Sequence, residues 1–361
     1  MIREPGHGVL VKTIACDAAL AQLAKFDTII DVRSQSEFAA DRLPGAINCP
    51  VLTDAERAEV GTLYRQASPF DARRTGAALV AANIAQHLRS CFPQRPRSWT
   101  PLVYCWRGGE RSAAMAHVLS RVGWRAQQLE GGYRAFRRIV IGALDTLAAR
   151  FSFRVLCGAT GSGKSRLLAC LDQVGAQVLD LEALAVHRGS VLGAVPGHRQ
   201  PSQRHFETRL WWVLNRLDPA RAVFVESESR KIGDRQLPSA LLDAMRRSEC
   251  IRVELPVQQR IRLLRDEYRH YERVPEPLCE QLDCLAALHG SATVDRWKAM
   301  ARSADWDALV AGLLDEHYDP VYRRSIQHNY REAAQAVCVS IRSADAADFE
   351  RAARELAQRV D

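Results

Sequence analysis

The chain has 361 residues, 47% hydrophobic and 25% charged, ordinary for a soluble globular protein of two or three domains. No apolar run is long enough to span a bilayer, and the N-terminal MIREPGHG lacks a signal-peptide core, so a cytoplasmic, reducing location is expected. The net charge of +8, carried mostly by arginine, permits a polyanionic partner such as RNA without requiring one.

Phe26–Val32 reads as a strand ending in an acid. Leu102–Tyr104 reads as a short strand running into CWRGGERS, Cys105–Ser112, and Ser112–Val122 has apolar positions at helical spacing. Gly131–Tyr133 closes this first unit, and Arg134–Arg150 is predicted to be a connecting helix. Phe153–Cys157 is a strand feeding GATGSGKS, Gly158–Ser165; further strands are predicted at Gln177–Leu181, Ala222–Glu226 and Ile251–Leu255. From Val257 onward the chain is helical and charged, without clear strands. Strand–loop–helix units imply parallel sheets covered by helices, hence an α/β fold. The expected domains are residues 1–140, a second α/β domain at 141–256, and a helical C-terminal region at 257–361 packed on the second domain.

Cys105 stands after a strand and before a helix, where unpaired backbone N–H groups and the helix dipole favour a thiolate. Gly108 and Gly109 let the loop amides turn inward, and Arg107 and Arg111 add positive charge beside the candidate nucleophile. The spacing C-x5-R, Cys105 to Arg111, is also that of cysteine phosphatases, where the arginine grips a phosphate. The ten cysteines include no C-x-x-C pair, which argues against a zinc ribbon or a thioredoxin-type site.

The second loop is a complete phosphate-binding signature. Gly158, Gly161 and Gly163, with Thr160 and Ser162 between them, allow backbone amides to converge on phosphate oxygens. Lys164 supplies a point charge, and Ser165 is a candidate Mg²⁺ ligand. The acid that helps hold such a metal is commonly an aspartate; here the strand ends in VESESR, so Glu226 or Glu228 is the candidate, unless these pair with Arg230 or Lys231. Asp180 ends another predicted strand, and His187, Arg188 and Ser190 in HRGSVLG suggest contact with an anion or a base. Trp211 and Trp212 are read as packing residues rather than base-stacking ones. QQRIRLLRDEYRHYERV either lies against RNA phosphates or forms a solvated face.

DVRSQSEFAADRLPGAINCP, Asp31–Pro50, resembles the start of a rhodanese domain, in which Asp31 and Arg33 would form a fold-stabilising ion pair. With YCWRGGERS, GATGSGKS, HRGS, VESESRKIG and HYDPVYRRS in this order, nearly the whole chain resembles the tRNA 2-selenouridine synthase family, a rhodanese domain fused to a phosphate-loop domain. The resemblance implies an RNA-binding transferase that replaces the sulfur of 2-thiouridine at the tRNA wobble position with selenium. A geranyl group from geranyl diphosphate would first alkylate the sulfur, and selenium from selenophosphate would then displace geranylthiol. Cys105 would be the selenium-carrying nucleophile and Gly158–Ser165 the diphosphate site. The partners implied are the tRNA anticodon arm and selenophosphate, with no tightly bound cofactor, Mg²⁺ as an option, no membrane, no inferred protein partner, and a monomer. The alternative is a cysteine phosphatase or sulfurtransferase fused to a phosphate-loop kinase or NTPase switch.

Overall fold

The computed structural model describes residues 11–330 and 336–360; the MIREPGHG segment lies outside them. Two compact units divide the chain: the first takes it up to Ala143 together with Ser202–Trp212, and the second holds Leu144–Pro201 and the chain from Val213 onward.

The first unit is built on β1 (Lys12–Ile14), β2 (Thr28–Asp31), β3 (Ala46–Asn48), β4 (Pro101–Tyr104) and β5 (Gln127–Leu129). They form one parallel sheet in the order β1-β5-β4-β2-β3. Every residue of β2 and β4 is buried, as the central strands of a sheet covered on both faces must be. Asp31 pairs with Tyr104, so both strands end at one edge and Cys105 leaves the sheet there. Glu110–Val122, reached directly from the cysteine loop, stops at Gly123 in a left-handed conformation. The long helix Pro69–Ser90 starts from a Ser68 cap with proline at its first position.

The predicted connecting helix is shorter than its pattern: Gly132–Leu144 is α-helical, and Leu147–Arg150 is a separate 3₁₀ turn. Helix Gln203–Leu214, read from the sequence as part of the second domain, lies largely in the first unit. There Trp211 packs edge-on against Phe136 at 5.5 Å, while Thr208 and His205 reach Asp41 at 2.9 and 3.2 Å. Buried Asp41 also accepts from Tyr133 Oη at 2.8 Å, so its charge is met from three side chains.

The second unit contains β6 (Phe153–Cys157), β7 (Gln177–Leu179), β8 (Val223–Glu226), the small antiparallel pair β9 (Lys231–Ile232) and β10 (Arg235–Gln236), then β11 (Glu249–Glu254) and β12 (Val337–Ser340). Its main sheet is parallel, in the order β12-β11-β6-β8-β7. β12 corrects the reading of a C-terminal region without strands; it is a short, mostly exposed edge strand whose pattern is too brief to read. One core joins Leu156, Leu167, Leu171 and Leu263 to Phe349, Ala353 and Leu356 of the last helix, Ala346–Val360. Another core, mostly helical but including Leu192 of a turn, gathers around Trp297, Trp306 and Leu309. Among the described residues no helix is long and apolar enough to cross a membrane.

Candidate functional site

Cys105, only 3% exposed, sits inside its own loop. Its sulfur accepts from the Gly109 amide at 3.3 Å and from Ser112 Oγ at 3.2 Å. Burial pushes the thiol up, but the Ser112 hydroxyl and the amides of Ser112, Arg107 and Gly109 outweigh it and hold the thiol below its ordinary value. Gln128 fixes the loop from β5, donating to the Gly108 carbonyl at 2.7 Å and to Ser112 Oγ at 2.9 Å. Behind the loop the Tyr133 amide donates to the Cys105 carbonyl at 2.9 Å. Gly132 must be glycine: its φ is +52°, and a Cβ would lie 2.3 Å from the Cys105 carbonyl oxygen.

The arginines behave differently from the sequence expectation of charge beside the sulfur. Arg107 is exposed and contributes through its amide. Arg111 pairs with Glu37 at 3.1 Å, so its charge is offset there. Asp31 and Arg33 form a buried bidentate pair at 2.6–3.1 Å, and Arg33 stacks on the Tyr133 ring with its guanidinium 4.1 Å from the centroid.

In the second unit Gly158–Ser165 joins β6 to helix Lys164–Gln173, the setting a phosphate loop requires. Gly161 and Gly163 have φ of +74° and +83°. Lys164 Nζ folds back on the Gly158 carbonyl at 2.7 Å, within the loop that would receive an anion. Arg260 braces the loop, donating through Nε and an Nη to the Thr160 carbonyl at 2.9 and 2.7 Å and pairing with Asp319 at 2.6 Å. At this position QQRIRLLRDEYR turns a basic side chain inward rather than toward RNA or solvent, and Asp319 of HYDPVYRRS has a structural reason to be present. Ser162 Oγ is buried without a partner.

Beside Ser165 the structure brings together Glu182, Glu226 and Glu228, with a carboxylate oxygen of each within 4.8 Å of the others. Ser165 Oγ donates to Glu182 at 3.3 Å. Burial pushes Glu226 up to about 8 against the pull of Lys164, and burial with the neighbouring Glu226 and Glu228 charges pushes Glu182 up to about 10. Glu228 is raised by burial as well. Glu226 Oε1 has no hydrogen-bond partner. Three carboxylates around the phosphate-loop serine fit a divalent cation through a hard, all-oxygen donor set, with Ser165, Glu182, Glu226 and Glu228 as the residues that would hold it.

Of the other predicted residues, Asp180 caps the turn Leu181–Ala185, accepting from the Ala183 amide at 2.8 Å. His187 is packed with Nδ1 buried and unpartnered, and burial lowers it. Arg188 donates to the Glu267 carbonyl at 2.7 Å and lies over the Tyr268 ring. Arg230 is exposed. Glu182 was missed: nothing in LEALA marks it, and only the fold carries it to Glu226. Also unread from the sequence was an apolar pocket whose wall includes Thr160 of the phosphate loop and Ser190, with Leu192, Leu264, Tyr268, Trp306, Leu309 and Leu313.

A family model described as the tRNA 2-selenouridine synthase AAA domain matches residues 151–277, and one for the rhodanese-like domain matches residues 16–139. The tRNA 2-selenouridine synthase of Nitrosomonas europaea is 37% identical over 249 residues, covering 66% of this chain and 63% of its own length. That alignment therefore spans just under two thirds of the relative. The protein of the same name from Chromohalobacter salexigens is 32% identical over 331 residues, with 84% and 90% covered, and that from Shewanella loihica is 30% identical over 343 residues, with 84% and 88% covered.

Proposed function

The chain belongs to the tRNA 2-selenouridine synthase family, and from that premise we propose that it is a tRNA-modifying transferase converting wobble 2-thiouridine to 2-selenouridine in two steps. In the first, the thiocarbonyl sulfur attacks C1 of geranyl diphosphate; the carbon–oxygen bond breaks, and pyrophosphate leaves with the electron pair. In the second, water cleaves the P–Se bond of selenophosphate to leave phosphate and selenide; the selenide attacks C2, forming the carbon–selenium bond, and the carbon–sulfur bond breaks with geranylthiolate taking the electron pair.

The observation that carries this reading is the apolar pocket sharing Thr160 with the phosphate loop. A diphosphate held by the loop amides and Lys164 would direct its prenyl chain toward the apolar wall of Leu192, Leu264 and Leu309, a lining that suits hydrocarbon better than a polar base. The loop amides and Lys164 then stabilise the charge that grows on departing pyrophosphate. A cation held by Ser165 and the glutamates would share that charge. The lowered thiol of Cys105 serves the selenium step. The wobble base must leave its stack to be reached, which costs little in an anticodon loop.

Separate loops predict separable losses. Cys105→Ala should leave geranylation largely intact and block selenation, so that geranylated nucleoside accumulates. Lys164→Ala should cut geranylation by about 10²–10³, as removal of one charge-stabilising group does. Mass spectrometry of nucleosides from tRNA treated with each variant reads both steps. Loss of both products in both variants would overturn the division of labour, and full geranylation in Lys164→Ala would remove the diphosphate from this loop.

A further inference from the structure

Outside both loops, three side chains with metal-ligating atoms meet in the first unit. Cys49 follows β3 and is buried; His87 and Cys91 lie four residues apart at the C-terminal end of helix Pro69–Ser90, half-buried and exposed respectively. That spacing puts both on one helix face. The two sulfurs and a His87 ring nitrogen all lie within 4.8 Å of one another. Cys91 Sγ is 3.8 Å from His87 Nδ1. A tetrahedral ion with metal–sulfur bonds near 2.3 Å and metal–nitrogen bonds near 2.0 Å sets its ligand atoms about 3.5–3.8 Å apart, so the cluster is already close to that size.

The other ring nitrogen decides what His87 can offer. Nε2 lies 2.9 Å from the Pro50 carbonyl oxygen. A carbonyl only accepts, so Nε2 carries the hydrogen and Nδ1 keeps its lone pair toward Cys91. Histidines that bind metals are held in this way, one nitrogen donating to a backbone oxygen and the other free for the ion. Cys49 is fixed independently, because its amide donates to the Asp31 carbonyl at 2.9 Å. A Cys₂His donor set favours a thiophilic divalent ion over magnesium or calcium.

We propose that Cys49, His87 and Cys91 form a binding site for a zinc-class divalent cation, its fourth ligand a water. Binding would form two sulfur–metal bonds and one nitrogen–metal bond and release the two thiol protons to solvent. The ion would tie the end of the long helix to the segment leaving β3. The proposal uses none of the residues assigned to tRNA modification and stands apart from that reading.

The test is a Co²⁺ titration of the full chain under a thiol-free reductant, in a Cys105→Ala background that removes the reactive thiol. One equivalent should bind with a thiolate-to-cobalt charge-transfer band, and Zn²⁺ should displace it and raise the melting temperature. Cys91→Ser, at an exposed position, should reduce the band and weaken affinity at least tenfold. His87→Gln should weaken affinity while leaving the charge-transfer band in place at saturation. No cobalt uptake, or a band and affinity unchanged in Cys91→Ser, would overturn the proposal; circular dichroism of each variant reports that it is folded.

Discussion

At the residue scale the two loops set their charges by different means. Cys105 is lowered by hydrogen bonds against the opposing effect of burial, with the Ser112 hydroxyl the foremost of them. Ser112→Ala should therefore move the thiol's ionisation to higher pH. The rate of iodoacetamide alkylation against pH measures this, and an unmoved inflection would shift the credit to the loop amides. Glu226 is raised from its ordinary 4.5 to about 8. Between those values the folded chain holds a proton that the unfolded chain has lost, so this group makes stability fall as pH rises through the window. Glu226→Gln keeps the buried group neutral. It should stabilise the ligand-free protein at pH 8 by an amount on the order of a few kcal/mol, flatten the decline between pH 5 and 8, and blunt any stabilisation by Mg²⁺. Thermal melts across pH, with and without Mg²⁺, read all three effects. The contrast also shows what could be read in advance. Cys105, Lys164 and Ser165 lie in contiguous motifs whose chemistry depends on local backbone, so the sequence names them. Glu182 joins Glu226 only across two strands of a sheet, and no spacing rule announces that.

At the element scale the phosphate loop is held from beneath by the end of the chain. Phe349 of helix Ala346–Val360 is fully buried, and a Cβ on Gly163 would come 2.4 Å from its ring. The last helix packs along Lys164–Gln173, the helix that presents Lys164 and Ser165. Phe349→Ala should cost about 3–5 kcal/mol in urea denaturation, the usual cost of emptying a fully packed aromatic site. Inorganic pyrophosphate should also bind more weakly to the variant, because the loop loses its floor. Unchanged pyrophosphate affinity in a destabilised variant would mean that the helix supports the core and not the site. This dependence was invisible beforehand, since Phe349 and Gly163 are joined only by the fold. Strand β6 was legible as FRVLC because it is apolar and leads into glycines. β1, β3, β5 and β12 have three or four residues each, too few for a period to show. The strand predicted at Gln177–Leu181 ends at Leu179, because Asp180 leaves it to cap the next turn.

At the scale of the whole molecule, charge is the property that bears on an RNA partner. The excess of +8 is not spread evenly over the fifty basic residues. Arg33, Arg111, Arg137 and Arg260 are matched one to one by Asp31, Glu37, Glu207 and Asp319, and such pairs add little to the far field. Many exposed arginines are paired as well, Arg74 with Asp71 and Arg296 with Glu316 among them, so the net positive potential reflects the excess of basic over acidic side chains across the surface. If the tRNA anticodon arm is held by that potential, binding should follow counterion release. Each phosphate neutralised contributes a slope of about −0.7 to −0.9 in log affinity against log salt. About four to five contacts would then lower affinity by roughly 10²-fold between 50 and 200 mM salt. Fluorescence-anisotropy titrations with an anticodon stem-loop at several salt concentrations measure the slope directly. The Cys105→Ala and Lys164→Ala chains should give the same slope as the parent, because each changes one loop and leaves the exposed arginines in place. A slope near zero would mean that the RNA is recognised by shape and stacking, and that the arginine excess has another origin.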